Sequence, residues 1–168
     1  MKIPSLCDKN FTGQIRSPFN KIIIFGYYDG ATSGVAQCGN CSIAYRFEIV
    51  AWDSNQENRI YSLAAIDSET FNSIVRIMSK LGTPQWPCWI PRWEFGSDEE
   101  EKHTRYSLDL LLQRASRANL VIATDHIEKE ILLCREIEAD AFDQLTNTVY
   151  PDPRVSKYWQ HYLGLEIR

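Results

Sequence analysis

The chain has 168 residues, of which 44% are hydrophobic and 24% charged, a length and balance that suit one globular domain spanning residues 1–168 with its own core. No apolar stretch approaches the roughly 18 residues of a spanning helix, and Met1 to Ser5 lack a signal peptide's apolar run, so the expectation is a cytoplasmic protein with no membrane partner. A net charge of −4 and a pI near 5.4 argue against bulk capture of nucleic acid.

The segment from Lys21 to Tyr28 is rich in β-branched and aromatic residues and runs into Asp29-Gly30, a turn signal, so it reads as a largely buried strand. Ser33–Cys38 reads as a second strand. Ile43, Tyr45, Phe47 and Ile49 alternate with Ser42, Ala44, Arg46 and Glu48, the period of a strand with one core face and one wetter face. Gly39-Asn40 between them predicts a two-residue hairpin connection, with Cys38 opposite Cys41 and both thiols at the end of the apolar face. Arg59–Ile66 is a fourth strand, which completes an antiparallel meander over about the first 66 residues.

The period then changes. Phe71, Ile74, Val75 and Met78 recur at helical spacing after Asp67-Ser68, with Gly82 and Pro84 just beyond, which predicts a first helix. Ser97 and Glu100 have capping-box spacing, Asp98 to Glu101 suit the positive end of a helix dipole, and Leu108, Leu111, Leu112 and Ala115 continue the stripe, so a second helix is expected to about Ala118. Leu120–Ala123 reads as a further strand, and 127–137 fits strand or helix equally. Asp152-Pro153, with Val155, Tyr158, Trp159 and Tyr162 on one face, predicts a short C-terminal helix. The fold class is therefore α+β: an N-terminal antiparallel meander of about four strands, then helices packed on the sheet, with one or two strands near 119–137.

Five cysteines in a chain without an export signal point to reduced thiols rather than a disulfide framework. Cys38-Gly39-Asn40-Cys41 is the most chemical feature, because two thiolates at this spacing can chelate zinc. The other candidate ligands, Cys7, Cys88, Cys134, His103, His126 and His161, contain no second close pair, and as core thiols Cys38 and Cys41 simply behave as small hydrophobes. His126-Ile127-Glu128 shares the H-x-E spacing of zinc deaminases, but the C-x-x-C that should follow it lies upstream and is preceded by Gln37 rather than proline. Asp125, His126 and Glu128 remain the weak catalytic candidates, as groups at a strand end or as members of a polar turn.

Thr83–Phe95 holds three tryptophans, a phenylalanine and three prolines in thirteen residues. Prolines limit the entropy lost on ordering and tryptophan is enriched at interface hot spots, so Trp86, Trp89, Trp93 and Phe95 are the expected partner-binding residues, unless the loop buries its rings in its own core. The functional expectation is a protein-interaction domain without catalytic activity or cofactor: an inhibitor, an immunity-type protein or an accessory protein bound to a protein partner. The alternative is a metal-dependent enzyme or zinc-stabilised regulator using Cys38 and Cys41.

Overall fold

Three successive isoleucines, Ile22 to Ile24, cannot share one face of a strand, so a strand built on them must be covered on both sides. The computed structural model describes residues 12–28, 30–53, 58–116, 120–124, 126–128 and 131–136, and leaves these isoleucines 0%, 0% and 3% exposed. In chain order the strands are β1 (Thr12–Arg16), β2 (Phe19–Tyr27), β3 (Ala31–Cys38), β4 (Ala44–Asp53), β5 (Asn58–Ile66), β6 (Cys88–Trp89), β7 (Leu120–Thr124) and β8 (Ile131–Glu136). The helices are α1 (Ser68–Met78) and α2 (Asp98–Leu112). Strands β2 to β5 form the antiparallel meander, and β7 continues it next to β5. The ambiguous segment after residue 127 is a strand at Ile131–Glu136, between β7 and β1. The α+β class holds, whereas the C-terminal helix expected from Asp152 lies outside the described residues.

The sheet order is β1-β8-β7-β5-β4-β3-β2-β6. Six strand spacings separate β1 from β2, which in a flat sheet is about 29 Å. Yet only Ser17 and Pro18 join them, a reach of about 11 Å from Arg16 to Phe19. The sheet must therefore roll up until its edges nearly meet. Ser17 Oγ donates to the carbonyl of Ile127 at 3.4 Å, across 110 positions, at this closure.

Rolling gives the sheet an inside and an outside, and the apolar residues divide accordingly. Phe19, Ile22, Ile24, Tyr45, Phe47, Tyr61, Leu63, Leu120 and Ile122 fill the inside. Phe47 and Tyr61 meet edge to face with centroids 5.7 Å apart, and the buried Tyr61 hydroxyl donates to the carbonyl of Ala31 at 2.6 Å. Ile23, Val35, Ala44 and Ile66 face outward, where Phe71, Ile74 and Met78 of α1 and Leu108, Leu111 and Leu112 of α2 cover them.

Asp67 caps α1 by accepting the Thr70 N–H at 2.7 Å, and Thr70 Oγ1 adds a second bond at 3.1 Å. The backbone bond is the main reason that its carboxyl titrates below the ordinary value of 3.8. A lowered folded-state value means that the contribution is complete above the ordinary value and fades as pH falls through the lowered one. Asp67→Ala should lose about 1 kcal/mol at neutral pH and flatten the acid limb of stability, measured by urea titrations between neutral pH and pH 2.

Two expectations need correction. The β3–β4 hairpin does not turn at Gly39-Asn40: Ala36 pairs with Tyr45, the Cys38 N–H donates to the carbonyl of Ile43 at 2.9 Å, and four residues form the loop. The positive φ falls on Ser42, at 63°, so Cys41 lies in the loop and does not face Cys38. Because the register moves by two, the side chains keep their faces. Helix α2 ends at Leu112 rather than about Ala118, because the chain tightens through Arg114 N–H to Leu111 and Ala115 N–H to Leu112, then hands the Ser116 N–H to the carbonyl of Ala65 at 2.8 Å.

Candidate functional site

The ladder sets three rows across the outer face of β3, β4 and β5. Gln37, Ala44 and Ile66 form the first, Val35, Arg46 and Ala64 the second, and Ser33, Glu48 and Ser62 the third. Polarity rises from row to row. The helices cover the apolar end, and the polar end is left as the floor of a groove beside α2. Its larger lobe, about 310 Å³, is lined by Phe25, Ser33, Arg46, Glu48, Trp93, Arg105, Leu108 and Asp109, among others. A second lobe of about 200 Å³ is lined by Ser62, Ala64, Gln113, Ala115 and Ser116, and shares Arg46, Glu48 and Leu112 with the first. The two lobes are therefore neighbours that meet at Arg46, Glu48 and Leu112.

These two side chains form an ion pair on the groove floor, each still reached by solvent. Arg105 pairs with Glu101 at 3.0 Å across one helical turn, and its guanidinium lies 4.5 Å from the centroid of the Trp93 ring. The Trp93 indole N–H donates to the carbonyl of Phe25 at 3.1 Å, and the two rings meet edge to face. Phe95 leans on the same indole. One wall of the groove is thus a fixed aromatic panel. Asp109, by contrast, makes no side-chain hydrogen bond or ion pair with another described residue.

The tryptophans expected to act together are divided. Trp89 is 6% exposed and belongs to the core, because β6 pairs in parallel with β2 and turns this ring toward α1 and α2. It is therefore not available as a contact residue. Trp86 is 38% exposed and sits beside Lys21, whose Nζ lies 5.7 Å from the ring centroid. Trp93 lines the groove instead, and Phe95 packs against its ring.

Cys38 is buried and Cys41 half-buried, and neither is in a disulfide. The Asn40 N–H donates to Cys38 Sγ at 3.4 Å. Among the described residues no group of three or more histidine, cysteine or acidic side chains is placed to hold a metal ion. Asp125 lies outside the described residues. His126 Nδ1 stands 3.9 Å from Glu128 Oε1, with both side chains largely exposed. The Thr124 hydroxyl donates to the carbonyl of His126 at 2.6 Å and accepts its N–H at 3.2 Å, so the segment is a turn closed by its own threonine.

The sequence pattern does not single out Arg46, Glu48 or Asp109. Each looked like part of a solvated face. The signal present was that Arg46 and Glu48 occupy the wetter side of the alternating strand, while Arg105, Leu108, Asp109 and Leu112 share a helix face.

Cys88, on β6, is the described thiol with a displaced equilibrium: burial, and secondarily the charge of Glu128, push it up to about 11. It should stay protonated and react far more slowly with iodoacetamide at pH 8 in the native protein than after unfolding, as read by peptide mass spectrometry. Equal rates in the two states would contradict its burial.

No family model matches this sequence, and comparison with curated proteins and with solved structures likewise finds no match.

Proposed function

We propose that this protein is a non-catalytic interaction domain, of the inhibitor, immunity-type or accessory kind, that receives a protein partner in the groove beside α2. The observation that carries this reading is that two neighbouring lobes beside α2 share Arg46, Glu48 and Leu112 in their linings. Together they follow α2 from Arg105 to Gln113, about 12 Å of helix, which is the span of about four extended residues. Their serines, glutamine and arginine offer hydrogen bonds to a peptide backbone, and Trp93 offers an ordered apolar contact. The short polar contacts at the groove join the charged pairs Arg46–Glu48 and Arg105–Glu101, which supports recognition over nucleophilic chemistry.

The test is affinity purification of the tagged protein from its native cells after gentle lysis, beside an Ala64→Phe variant that fills the second lobe. A near-stoichiometric protein held by the wild type and lost from a variant with an unchanged melting curve is expected. The same protein retained equally by both would overturn the groove reading.

A second reading is favoured by one observation. The Asn40 N–H donates to Cys38 Sγ and Cys41 follows in the same loop before the positive φ of Ser42, so two thiols belong to one short loop segment, which suits a zinc-stabilised regulator or metal-dependent enzyme. Near-stoichiometric zinc that disappears in both Cys38→Ser and Cys41→Ser is its expected signature. Metal-free, fully folded protein purified without chelators would remove it.

A further inference from the structure

We infer that the second lobe takes a carboxamide side chain, asparagine or glutamine, projecting from the partner's segment; this rests on the groove reading above. Ser62 leads to it. This residue faces outward from β5, between Glu48 of β4 and Val121 of β7, and is 7% exposed. Its hydroxyl makes no hydrogen bond with another described residue, yet it is not sealed in, and the space it opens to is the lobe of about 200 Å³. A polar group buried this deeply and left unbonded is costly unless something meets it there.

The rest of the lining says what meets it. Arg46 and Glu48 are the ionisable groups of this lobe among the described residues, and they pair with each other. A charged occupant would lose hydration with no free counter-charge to offset the loss, so the site favours a neutral group. Gln113, on the α2 side, is an exposed side chain that makes no hydrogen bond with another described residue. A carboxamide matches this pair: it can join the Gln113 amide through two N–H···O bonds, or exchange a bond with the Ser62 hydroxyl. An alcohol offers one donor against its two, and an aliphatic group offers none. Ala64, Leu112 and Ala115 supply the apolar surface for a short stem. A main chain running along α2 passes over the mouth of the lobe, whereas Ser62 on its floor is met by a group that projects from that chain, which favours a side-chain amide over a backbone one.

The probes are four small molecules with equal numbers of non-hydrogen atoms: propionamide for the side chain, its isomer N-methylacetamide for the backbone, and propionate and butylammonium for charged groups. Each is titrated into ¹⁵N-labelled protein. The reporter is the Gln113 side-chain amide pair, identified by its absence from the spectrum of Gln113→Glu. Propionamide is expected to shift this pair saturably with a Kd of about 10 mM, as suits so few atoms, and the other three to bind at least about fivefold more weakly. Ser62→Ala is expected to weaken propionamide about five- to tenfold, and Ala64→Phe, which fills the lobe, to abolish its binding. The ranking of the four probes on the wild type needs no variant.

No saturable shift with propionamide at about 100 mM, equal binding of N-methylacetamide or of either ion, or indifference to Ser62→Ala in a folded variant overturns the inference. The native partner separates the two levels of argument. Release by Ala64→Phe with undiminished retention by Ser62→Ala keeps the groove and rejects the carboxamide, whereas retention by Ala64→Phe rejects the groove itself and the occupant with it.

Discussion

Alanine at Gly34 is expected to destabilise the protein by about 3 kcal/mol, a large part of the roughly 5 to 15 kcal/mol that holds a domain of this kind folded. A Cβ built there lies 2.1 Å from the carbonyl oxygen of Ile23 and 2.6 Å from the ring of Phe47. Neither neighbour can step aside. The Ile23 carbonyl belongs to the backbone of β2, and the Phe47 ring is wholly buried against Tyr61. Gly34 and Phe47 are direct partners across the β3–β4 ladder, so the ring occupies the space over the glycine that a side chain would otherwise fill. A rolled sheet requires such economy, because side chains from all its strands converge on one interior. Gly39→Ala is the control: its Cβ would meet the side chain of the exposed Asn20 at 3.0 Å, and that side chain can move. Urea titration should therefore separate the two alanines by at least about 2 kcal/mol. Similar midpoints would mean that β3 and β4 do not approach as closely as described.

The parts of the fold written in local pattern were legible. The alternation from Ile43 to Ile49 assigned Tyr45 and Phe47 to the core, and the caps Asp67 and Ser97 marked where both described helices begin. Closure was not legible, because it depends on Thr12–Arg16 pairing with Ile131–Glu136, more than a hundred positions away, and no local periodicity carries that partnership. The hairpin register failed for a smaller reason: Gly39-Asn40 is a good turn dipeptide, but the positive φ was placed at Ser42 instead. The groove was hidden by its residue types. Arg46, Glu48 and Asp109 look like solvated charges until the ladder shows that α2 covers only the apolar part of the same face.

The tryptophan-rich segment gives the second large effect, and it splits residues that composition alone treats alike. Trp89→Ala is expected to cost about 3 to 5 kcal/mol, since it empties a ring site that is 6% exposed beneath both helices. Trp86→Ala should change stability by no more than about 1 kcal/mol, for its ring is 38% exposed and its specific contacts are Lys21 at 5.7 Å and the edge of Trp89. Trp93→Ala falls between them, losing the bond to Phe25 and the Arg105 stack while leaving the deeper core intact. Binding should follow a different order from stability. A partner held by the groove is weakened by Trp93→Ala even where the variant is fully folded, and is nearly indifferent to Trp86→Ala. Chemical denaturation and partner capture on the same three proteins measure both orders. If Trp86→Ala released the partner while Trp93→Ala kept it, the contact surface would lie at the Lys21 end of β2, and the groove beside α2 would be only the uncovered edge of a helix.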